Sequence, residues 1–166
     1  MAQNLELKIK IDQAENIVSL LEKNGAIDKG ILNQKDTYYY FDKGILKLRL
    51  VNGRFELIKY LRDEVGDRRW SNYELLKLEA EDVEGYLNDL FEADVIVEKL
   101  RRLYIYKNTR VHLDEVKHLG YYLELETVVN SNQSEAKKEF DEIVELLKLD
   151  RKKEIRSSYR DLIKNR

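Results

Sequence analysis

The sequence predicts an α+β fold built on eight antiparallel β-strands, a number that is enough to close into a barrel, with helices packed over the apolar face of the sheet. The first observation is a strict alternation of apolar and charged residues, which recurs in at least five segments. Since successive side chains of a strand point to opposite faces, these segments indicate amphipathic strands. The second observation is that the links are short and no Rossmann-type βαβ unit occurs, which favours antiparallel pairing in one domain over residues 1–166.

Composition limits the chemistry that the chain supports. Charged residues are 37% of the 166 residues, yet the net charge is only −2, which argues against a nucleic-acid partner because general DNA binders carry a basic excess. Without cysteine and with only two histidines, the chain lacks disulfides, thiolate catalysis and a histidine-rich metal site. A metal would need carboxylate ligands, which favour Mg²⁺, Mn²⁺ or Ca²⁺.

The sequence also predicts a soluble, cytoplasmic protein without a membrane partner. No run approaches the roughly 18 apolar residues of a membrane-spanning helix. The N-terminal stretch MAQNLELKIK lacks the apolar region of a signal peptide.

The N-terminal elements are a strand and a helix. Residues 4–11 alternate without exception between apolar and polar side chains, which predicts a strand. Asp12 is expected to cap the next helix, with Glu15 at its third position, and this helix is expected to end near residues 24–25.

The middle of the chain is predicted to be mainly strands. Asn52-Gly53 lies between two alternating runs, which is a strong hairpin signal. The predicted elements are strands over 36–42, 45–50, 54–62 and 69–78, a charged loop over 63–68, and a helix over 80–91.

The C-terminal part is predicted to hold three more strands and two helices. A polar turn over 130–134 separates them, with Asn132 or Ser134 as the helix cap. The predicted strands span 95–106, 109–116 and 121–129, and the predicted helices span 135–148 and 152–164.

In each strand the charged residues share one face, and this charged face is compatible with two arrangements of the sheet. A flat sheet would expose its charged face to water, whereas a closed barrel would enclose it as a wet tunnel for ions and a polyanion. In the tunnel, the cations would cradle phosphates and the carboxylates would bind a divalent metal. The residues concerned are Glu6, Lys8, Lys10, Lys47, Arg49, Arg62, Lys99, Arg101, Arg110, Asp114, Glu124 and Glu126.

Eight stretches together carry a resemblance over nearly the whole chain. They are NLELK at 4–8, QKDTYY at 34–39, LKLR at 46–49, LIKYLR at 57–62, VEKLRRLY at 97–104, RVHLDEV at 110–116, LGYYLELE at 119–126 and SSYRDLI at 157–163. The chain resembles the CYTH group of triphosphate tunnel metalloenzymes, which is named for class IV adenylyl cyclases and thiamine triphosphatases.

The resemblance implies a role for each matching residue, with Mg²⁺ or Mn²⁺ as the metal. The implied metal ligands are Glu6, Asp114, Glu124 and Glu126. The implied catalytic residues are Glu6, Lys8 and Glu126. The implied phosphate-binding residues are Lys8, Lys47, Arg49, Lys99 and Arg101. Lys10, Arg62 and Arg110 are added because they lie on the charged faces of their strands.

The chain departs from the family pattern at two positions. The family signature opens with Glu-x-Glu-x-Lys, and the preferred match puts Asn4 at the first Glu, so that one acidic ligand is missing. The alternative register puts Glu6 first and makes Lys8 a substitution. Tyr60 stands where many members have Lys, which removes a phosphate contact or shifts it to Arg62.

The resemblance implies a small-molecule triphosphate as the partner and is compatible with a homodimer. The favoured reaction is conversion of ATP to cyclic AMP and pyrophosphate. The alternatives are hydrolysis of thiamine triphosphate, a nucleoside triphosphate or tripolyphosphate, a binding module without catalysis, and a sheet with a charged protein-binding face. His112 is interpreted as a general base, a nucleobase contact or a hydrogen-bonding neighbour.

Overall fold

Eight antiparallel strands form a closed barrel. The computed structural model describes residues 2–65 and 68–166, with the backbone alone over 62–65. Around the barrel the order is β1-β5-β4-β3-β2-β6-β7-β8, and β8 pairs with β1. The strands are β1 (Ala2–Lys10), β2 (Ile27–Tyr39), β3 (Ile45–Val51), β4 (Arg54–Val65), β5 (Arg68–Leu78), β6 (Ala93–Tyr106), β7 (Thr109–Val116) and β8 (Gly120–Val128). The predicted barrel is confirmed, and the flat sheet is wrong.

Turn chemistry and alternation explain the strand pairing. Asn52 and Gly53 connect β3 to β4 with φ of 49° and 73°, the positive values that a tight type I′ hairpin requires at both central residues. The register set by this turn pairs Arg49 with Glu56, and both side chains line the interior. A slip of either strand by one residue would turn the charge of that strand outward and its apolar side chains inward, so the apolar outer face fixes the register.

Helices cover the apolar outside of the barrel. Helices α1 (Glu15–Lys23) and α3 (Gln133–Leu146) contribute to a core with β1, β7 and β8, and α2 (Val83–Leu90) packs with β3. In the described part of the chain, no helix is long and apolar enough to cross a membrane. The first core includes Leu5, Leu7, Leu21, Val111, Leu125, Phe140 and Ile143, and the second includes Leu46, Leu48, Val83 and Leu87.

Several predicted boundaries are wrong. Helix α1 starts at Glu15 after Ala14, which makes no side-chain cap, so Asp12 is not the cap. Strand β2 starts at residue 27 instead of 36, and strands β4 and β5 extend into the predicted loop at 63–68. Asn132 is confirmed as the cap of α3, since its side chain accepts a hydrogen bond from the backbone of Glu135 at 2.9 Å.

The predicted C-terminal helix over 152–164 is also wrong. Only a 3-10 turn at Arg151–Lys153 and a short helix α4 (Tyr159–Lys164) form, because the backbone between them pairs with β1. Glu154 forms a bridge to Ile9, and the amide of Ile155 donates to the Lys8 carbonyl at 2.8 Å. This segment therefore joins the barrel wall before α4 begins at its Ser158 cap.

Candidate active site in the barrel

A cavity of about 640 Å³ occupies the interior of the barrel. All eight strands contribute lining side chains, because the face of each strand that carries the charged residues points into the barrel. Nine of the residues predicted from the sequence line it: Glu6, Lys8, Lys47, Arg49, Lys99, Arg101, Arg110, Glu124 and Glu126. The charges predicted for the tunnel thus converge on one space.

One side of the cavity gathers cations around a single carboxylate. Asp36 on β2 is fully buried, and its oxygens accept hydrogen bonds from Lys47 Nζ at 3.0 Å and from Arg49 Nε and Nη2 at 2.8 and 2.9 Å. Lys99 Nζ lies 3.8 Å from the same carboxylate. We call Asp36, Lys47, Arg49 and Lys99 the cationic wall.

The cationic wall holds more positive charge than its carboxylate neutralises. Burial would raise the pKa of Asp36, but the charges of Arg49, Lys47 and Lys99 hold this pKa well below its ordinary value. Burial, followed by repulsion from Arg49, lowers the pKa of Lys47 to about 7. An anion that enters beside these cations would relieve their repulsion.

The opposite side of the cavity carries carboxylates. Glu126 faces Glu6 across β8 and β1, and Glu124 faces Lys8 on β1 and His112 on β7. We call Glu6, Glu124, Glu126 and His112 the acidic wall. It places three carboxylates and one imidazole beside the same cavity as the cationic wall.

Neighbouring cations keep Glu124 and Glu126 ionised. Lys8 Nζ lies 3.1 Å from Glu124 Oε1, Arg101 Nη2 lies 2.6 Å from Glu124 Oε2, and Arg110 Nη2 lies 2.9 Å from Glu126 Oε2. Burial opposes ionisation, but Lys8 and Arg101 hold the pKa of Glu124 well below its ordinary value. In the same way, neighbouring His112, Arg110 and Arg101 lower the pKa of Glu126 to about 2.

His112, Glu124 and Glu126 form a group that could hold a metal ion. One nitrogen of the imidazole and one oxygen of each carboxylate lie within 4.8 Å of one another. Burial, followed by the charge of Arg101, lowers the pKa of His112 to about 4, so its ring is neutral near pH 7. A neutral imidazole and two carboxylates are a donor set that divalent metals accept.

Three predicted site residues, and Asn4 at the position matched to a family glutamate, have other surroundings. Asp114 accepts both donors of Arg101, at 2.7 and 2.6 Å, and the Tyr159 hydroxyl at 2.8 Å, so it orients Arg101 and lies outside the group of possible metal ligands. Lys10 is exposed at the end of β1, with its ammonium 5.8 Å from the Tyr122 ring centre. The Arg62 side chain lies outside the described residues. Asn4 lines the cavity, and when its amide is assigned with oxygen and nitrogen exchanged, the oxygen accepts from Arg110 Nη2 at 2.9 Å.

The C-terminal segment completes one end of the cavity. Lys8 Nζ donates to the Ser157 carbonyl at 3.0 Å, and the Tyr159 ring centre lies 4.1 Å from Lys8 Nζ and 4.9 Å from Lys99 Nζ. The resemblance over 157–163 was the sequence signal for this segment, but it did not assign a role to Tyr159. Apolar side chains line the part of the cavity beyond Arg101, towards the β3–β4 hairpin; they are Leu32, Val51 and Leu103.

Arg69 was missed by the sequence reasoning. Its side chain is 1% exposed, its Nε lies 3.4 Å from Glu6 Oε2, and its Nη1 donates to the Ile155 carbonyl at 3.3 Å. The signal was available, because Arg69 shares the inward parity of β5 with Ser71 and Tyr73. Asp36 was interpreted only as a strand start, because its partners are far away in the sequence.

A closed barrel whose interior sets a cationic wall against an acidic wall defines a tunnel-type class of domain. The chain belongs to the CYTH domain family, whose model matches residues 2–159. The resemblance found in the sequence is thereby confirmed.

The chain is similar in sequence to a curated protein and in fold to several solved structures. A Methanocaldococcus jannaschii protein named "putative adenylate cyclase" is 27% identical, over 95% of this chain and 97% of its own. A Pyrococcus horikoshii structure is 25% identical with a TM-score of 0.81, over 96% of this chain and 98% of its own. A Hippeastrum structure, described as a "putative adenylyl cyclase" with "dominant" triphosphatase activity, is 10% identical with a TM-score of 0.60, over 88% of each chain. The last likeness is one of fold.

Proposed function

We propose that the protein is a metal-dependent enzyme that binds a triphosphate inside the barrel and converts ATP to cyclic AMP and pyrophosphate. The observation that carries this proposal is the convergence of the cationic wall and the acidic wall on one cavity. A triphosphate needs both, since its oxygens attract cations directly and also share a divalent ion with carboxylates.

The cationic wall would hold the phosphate chain. Lys47, Arg49 and Lys99 are buried or half-buried, already oriented by Asp36, and directed at the cavity. Donors fixed in this way stabilise negative charge that develops during the reaction without having to reorganise. Lys8, which is 2% exposed and whose ammonium contacts the same Tyr159 ring as that of Lys99, is suited to bind the pyrophosphate that leaves.

The acidic wall would hold the metal. Glu124, Glu126 and His112 provide the donor atoms, with Glu6 directly across from Glu126. A divalent ion supplies charge neutralisation on phosphate oxygens and lowers the pKa of a nearby hydroxyl. Because Asn4 stands at a position that is acidic in the family pattern, Glu6, Glu124 and Glu126 are the carboxylates that remain for the metal.

Two observations favour ATP cyclisation as the reaction. The Methanocaldococcus jannaschii relative that matches nearly end to end is named for this activity. The apolar residues Leu32, Val51 and Leu103 offer an environment for the organic part of a nucleotide, next to the cations that would bind its phosphates. In the reaction, the ribose 3′-oxygen bonds to the α-phosphorus, the bond to the bridging oxygen breaks, and pyrophosphate leaves.

Hydrolysis of a triphosphate is the second candidate. It is supported by the triphosphatase activity in the description of the Hippeastrum protein, which has the same fold. Both reactions use the same phosphate and metal contacts, and they differ in whether a ribose hydroxyl or water is the nucleophile.

Product analysis decides between these reactions. Purified protein is incubated with ATP, thiamine triphosphate or tripolyphosphate, each with Mg²⁺ or Mn²⁺, and cyclic AMP, pyrophosphate and orthophosphate are quantified. Cyclic AMP with equimolar pyrophosphate from ATP is the expected result. Orthophosphate without cyclic AMP would replace cyclisation by hydrolysis, and tight binding without any product would make the protein a triphosphate-binding module.

A further inference from the structure

We propose that His112 is a metal ligand and that the acidic wall therefore selects a borderline transition metal ion, of the kind of Co²⁺, Ni²⁺ or Zn²⁺, over Mg²⁺. This inference rests on the proposed function, because it concerns the metal of that same site. It goes further by naming a nitrogen ligand and the class of ion that such a ligand favours. Carboxylates suit Mg²⁺ and Mn²⁺, whereas imidazole suits later transition metals.

The geometry around His112 fits coordination better than hydrogen bonding. Its Nδ1 lies 3.9 Å from Glu124 Oε2 and 3.9 Å from Glu126 Oε1. These distances are too long for hydrogen bonds, which end near 3.2 Å. Metal bonds of about 2.0–2.2 Å allow two ligand atoms on one ion to lie up to about 4.4 Å apart, so both separations can span an ion.

The His112 nitrogen is also unsatisfied. Its side chain is 5% exposed, and Nδ1 is buried without a hydrogen-bond partner among the described residues. A buried polar atom in this state is costly unless something binds it. A cation between the imidazole and the two carboxylates would satisfy it, and Glu124 Oε2, which accepts from Arg101 Nη2 at 2.6 Å, would then be shared between Arg101 and the ion.

The carboxylate of Glu126 leaves one oxygen available. Arg110 occupies Oε2, with Nε at 3.0 Å and Nη2 at 2.9 Å. In the described part of the chain, the ion pair that Oε1 forms is the long one with His112. Glu126 is therefore held in place through one oxygen while the other faces the imidazole nitrogen.

Asn4 strengthens the argument for a nitrogen ligand. In the preferred match it occupies the position of the first family glutamate, and in the amide orientation that satisfies both of its polar atoms its oxygen accepts from Arg110. A site with one acidic ligand fewer carries less negative charge, which weakens its attraction for Mg²⁺ in particular, because that ion is bound mainly by charge and oxygen donors. An imidazole in the remaining set shifts the preference towards ions that bind nitrogen well.

Calorimetric metal titration of the full chain tests the inference. Co²⁺ and Mg²⁺ are titrated separately into the parent protein, His112→Asn and the matched control His118→Asn, which changes the other histidine of the chain. His118 is exposed and has a φ of 71°, a conformation that Asn tolerates. The parent and the control are expected to bind Co²⁺ at least tenfold more tightly than Mg²⁺. His112→Asn is expected to lose at least tenfold in Co²⁺ affinity and less than threefold in Mg²⁺ affinity.

A second measurement on the parent protein removes any dependence on how the variant folds. Nitrogen NMR of the two imidazole rings is recorded as Zn²⁺ is added. Coordination is expected to shift the Nδ1 resonance of His112 and to leave that of His118 unchanged at one equivalent.

The outcomes separate this inference from the proposed function. Equal affinities for Co²⁺ and Mg²⁺ in the parent, or an unshifted His112 resonance at saturating Zn²⁺, would overturn His112 as a ligand while leaving a metal-dependent enzyme intact. Absence of binding for every ion, with and without tripolyphosphate, would overturn both. Cyclic AMP formation with unchanged metal selectivity in His112→Asn would retain the function and reject the ligand.

Discussion

The two walls of the barrel interior differ in their balance of positive and negative charge. In the cationic wall a single carboxylate, Asp36, lies among Lys47, Arg49 and Lys99, so positive charge is left over. In the acidic wall three carboxylates and an uncharged imidazole face the cavity, and each carboxylate has at least one cation beside it: Arg69 at Glu6, Lys8 and Arg101 at Glu124, and Arg110 at Glu126. We propose that the first wall receives an anion, and that the second receives a cation between Oε1 of Glu126 and Nδ1 of His112, which has no hydrogen-bond partner among the residues that the structure describes.

The largest expected effect follows from Glu126→Gln in the acidic wall. Gln is nearly isosteric but lacks the charge that a divalent ion needs, so turnover should fall by at least about a hundredfold, equivalent to several kcal/mol of lost charge stabilisation. Triphosphate affinity should change only a few-fold, because the cationic wall is untouched. Turnover and calorimetric binding measured on the same variant give the comparison. Turnover equal to that of the parent would remove Glu126 from the metal site.

Asp36→Asn in the cationic wall should mainly reduce stability. Removing one partner from a buried charge cluster costs about 3–5 kcal/mol, because the remaining cations lose their counter-charge. Chemical denaturation measures the free energy of unfolding. The matched control Glu98→Gln removes one partner of the exposed pair with Lys117 and should leave the free energy of unfolding almost unchanged, because water screens this pair. Tripolyphosphate should restore much of the stability that Asp36→Asn loses, whereas equal losses for both variants would contradict the role given to Asp36.

Arg49→Ala should weaken triphosphate binding with little effect on the metal. Losing a charge-assisted, bidentate-capable donor should raise the dissociation constant roughly tenfold to a hundredfold, since hydrogen bonds to charged groups contribute about 1.5–3 kcal/mol. Turnover at saturating substrate should fall far less than in Glu126→Gln. If Arg49→Ala and Glu126→Gln lose turnover and triphosphate affinity in the same ratio, the assignment of phosphate binding to one wall and metal binding to the other is wrong.

The smallest expected effect is on the pH dependence of binding. Lys47 has a pKa of about 7, so it is charged below this pH and neutral above it. Raising the pH through 7 should therefore weaken tripolyphosphate binding a few-fold in the parent relative to Lys47→Arg, whose guanidinium stays charged. Measuring both proteins at each pH cancels the titration of the ligand itself. Parallel pH profiles would show that Lys47 does not titrate near neutrality.

The strands could be predicted because each one carries its own signal. Strand β7, for example, was predicted with its observed bounds from a strict alternation of apolar and charged residues. The first part of β2 was missed because its residues are mostly exposed and do not alternate. The backbone from 154 to 158 was predicted as helix because its pairing with β1 depends on residues about 145 positions away, which no local pattern records.

The site could be predicted in outline but not in its pairings. The alternation along each strand identified most of the charged residues that line the cavity. It could not distinguish Asp114, whose oxygens accept from Arg101 and Tyr159, from Glu126, which has an oxygen directed at His112. The central position of Asp36 was likewise hidden, because Arg49 and Lys99 reach it from two different strands. These distinctions depend on distances between strands, which alternation does not encode.

Thermal unfolding with tripolyphosphate tests the central claim most directly, because the claim is that this interior binds a triphosphate. A ligand at a hundredfold its dissociation constant adds about 2.7 kcal/mol to stability, and each kcal/mol raises Tm by roughly 2–4 °C in a chain of this size. Millimolar tripolyphosphate should therefore raise Tm by roughly 5–10 °C. Sulfate should give a weaker shift, and Arg49→Ala should respond less than the parent. A Tm that tripolyphosphate leaves unchanged, with and without divalent metal, would contradict a triphosphate site in the barrel.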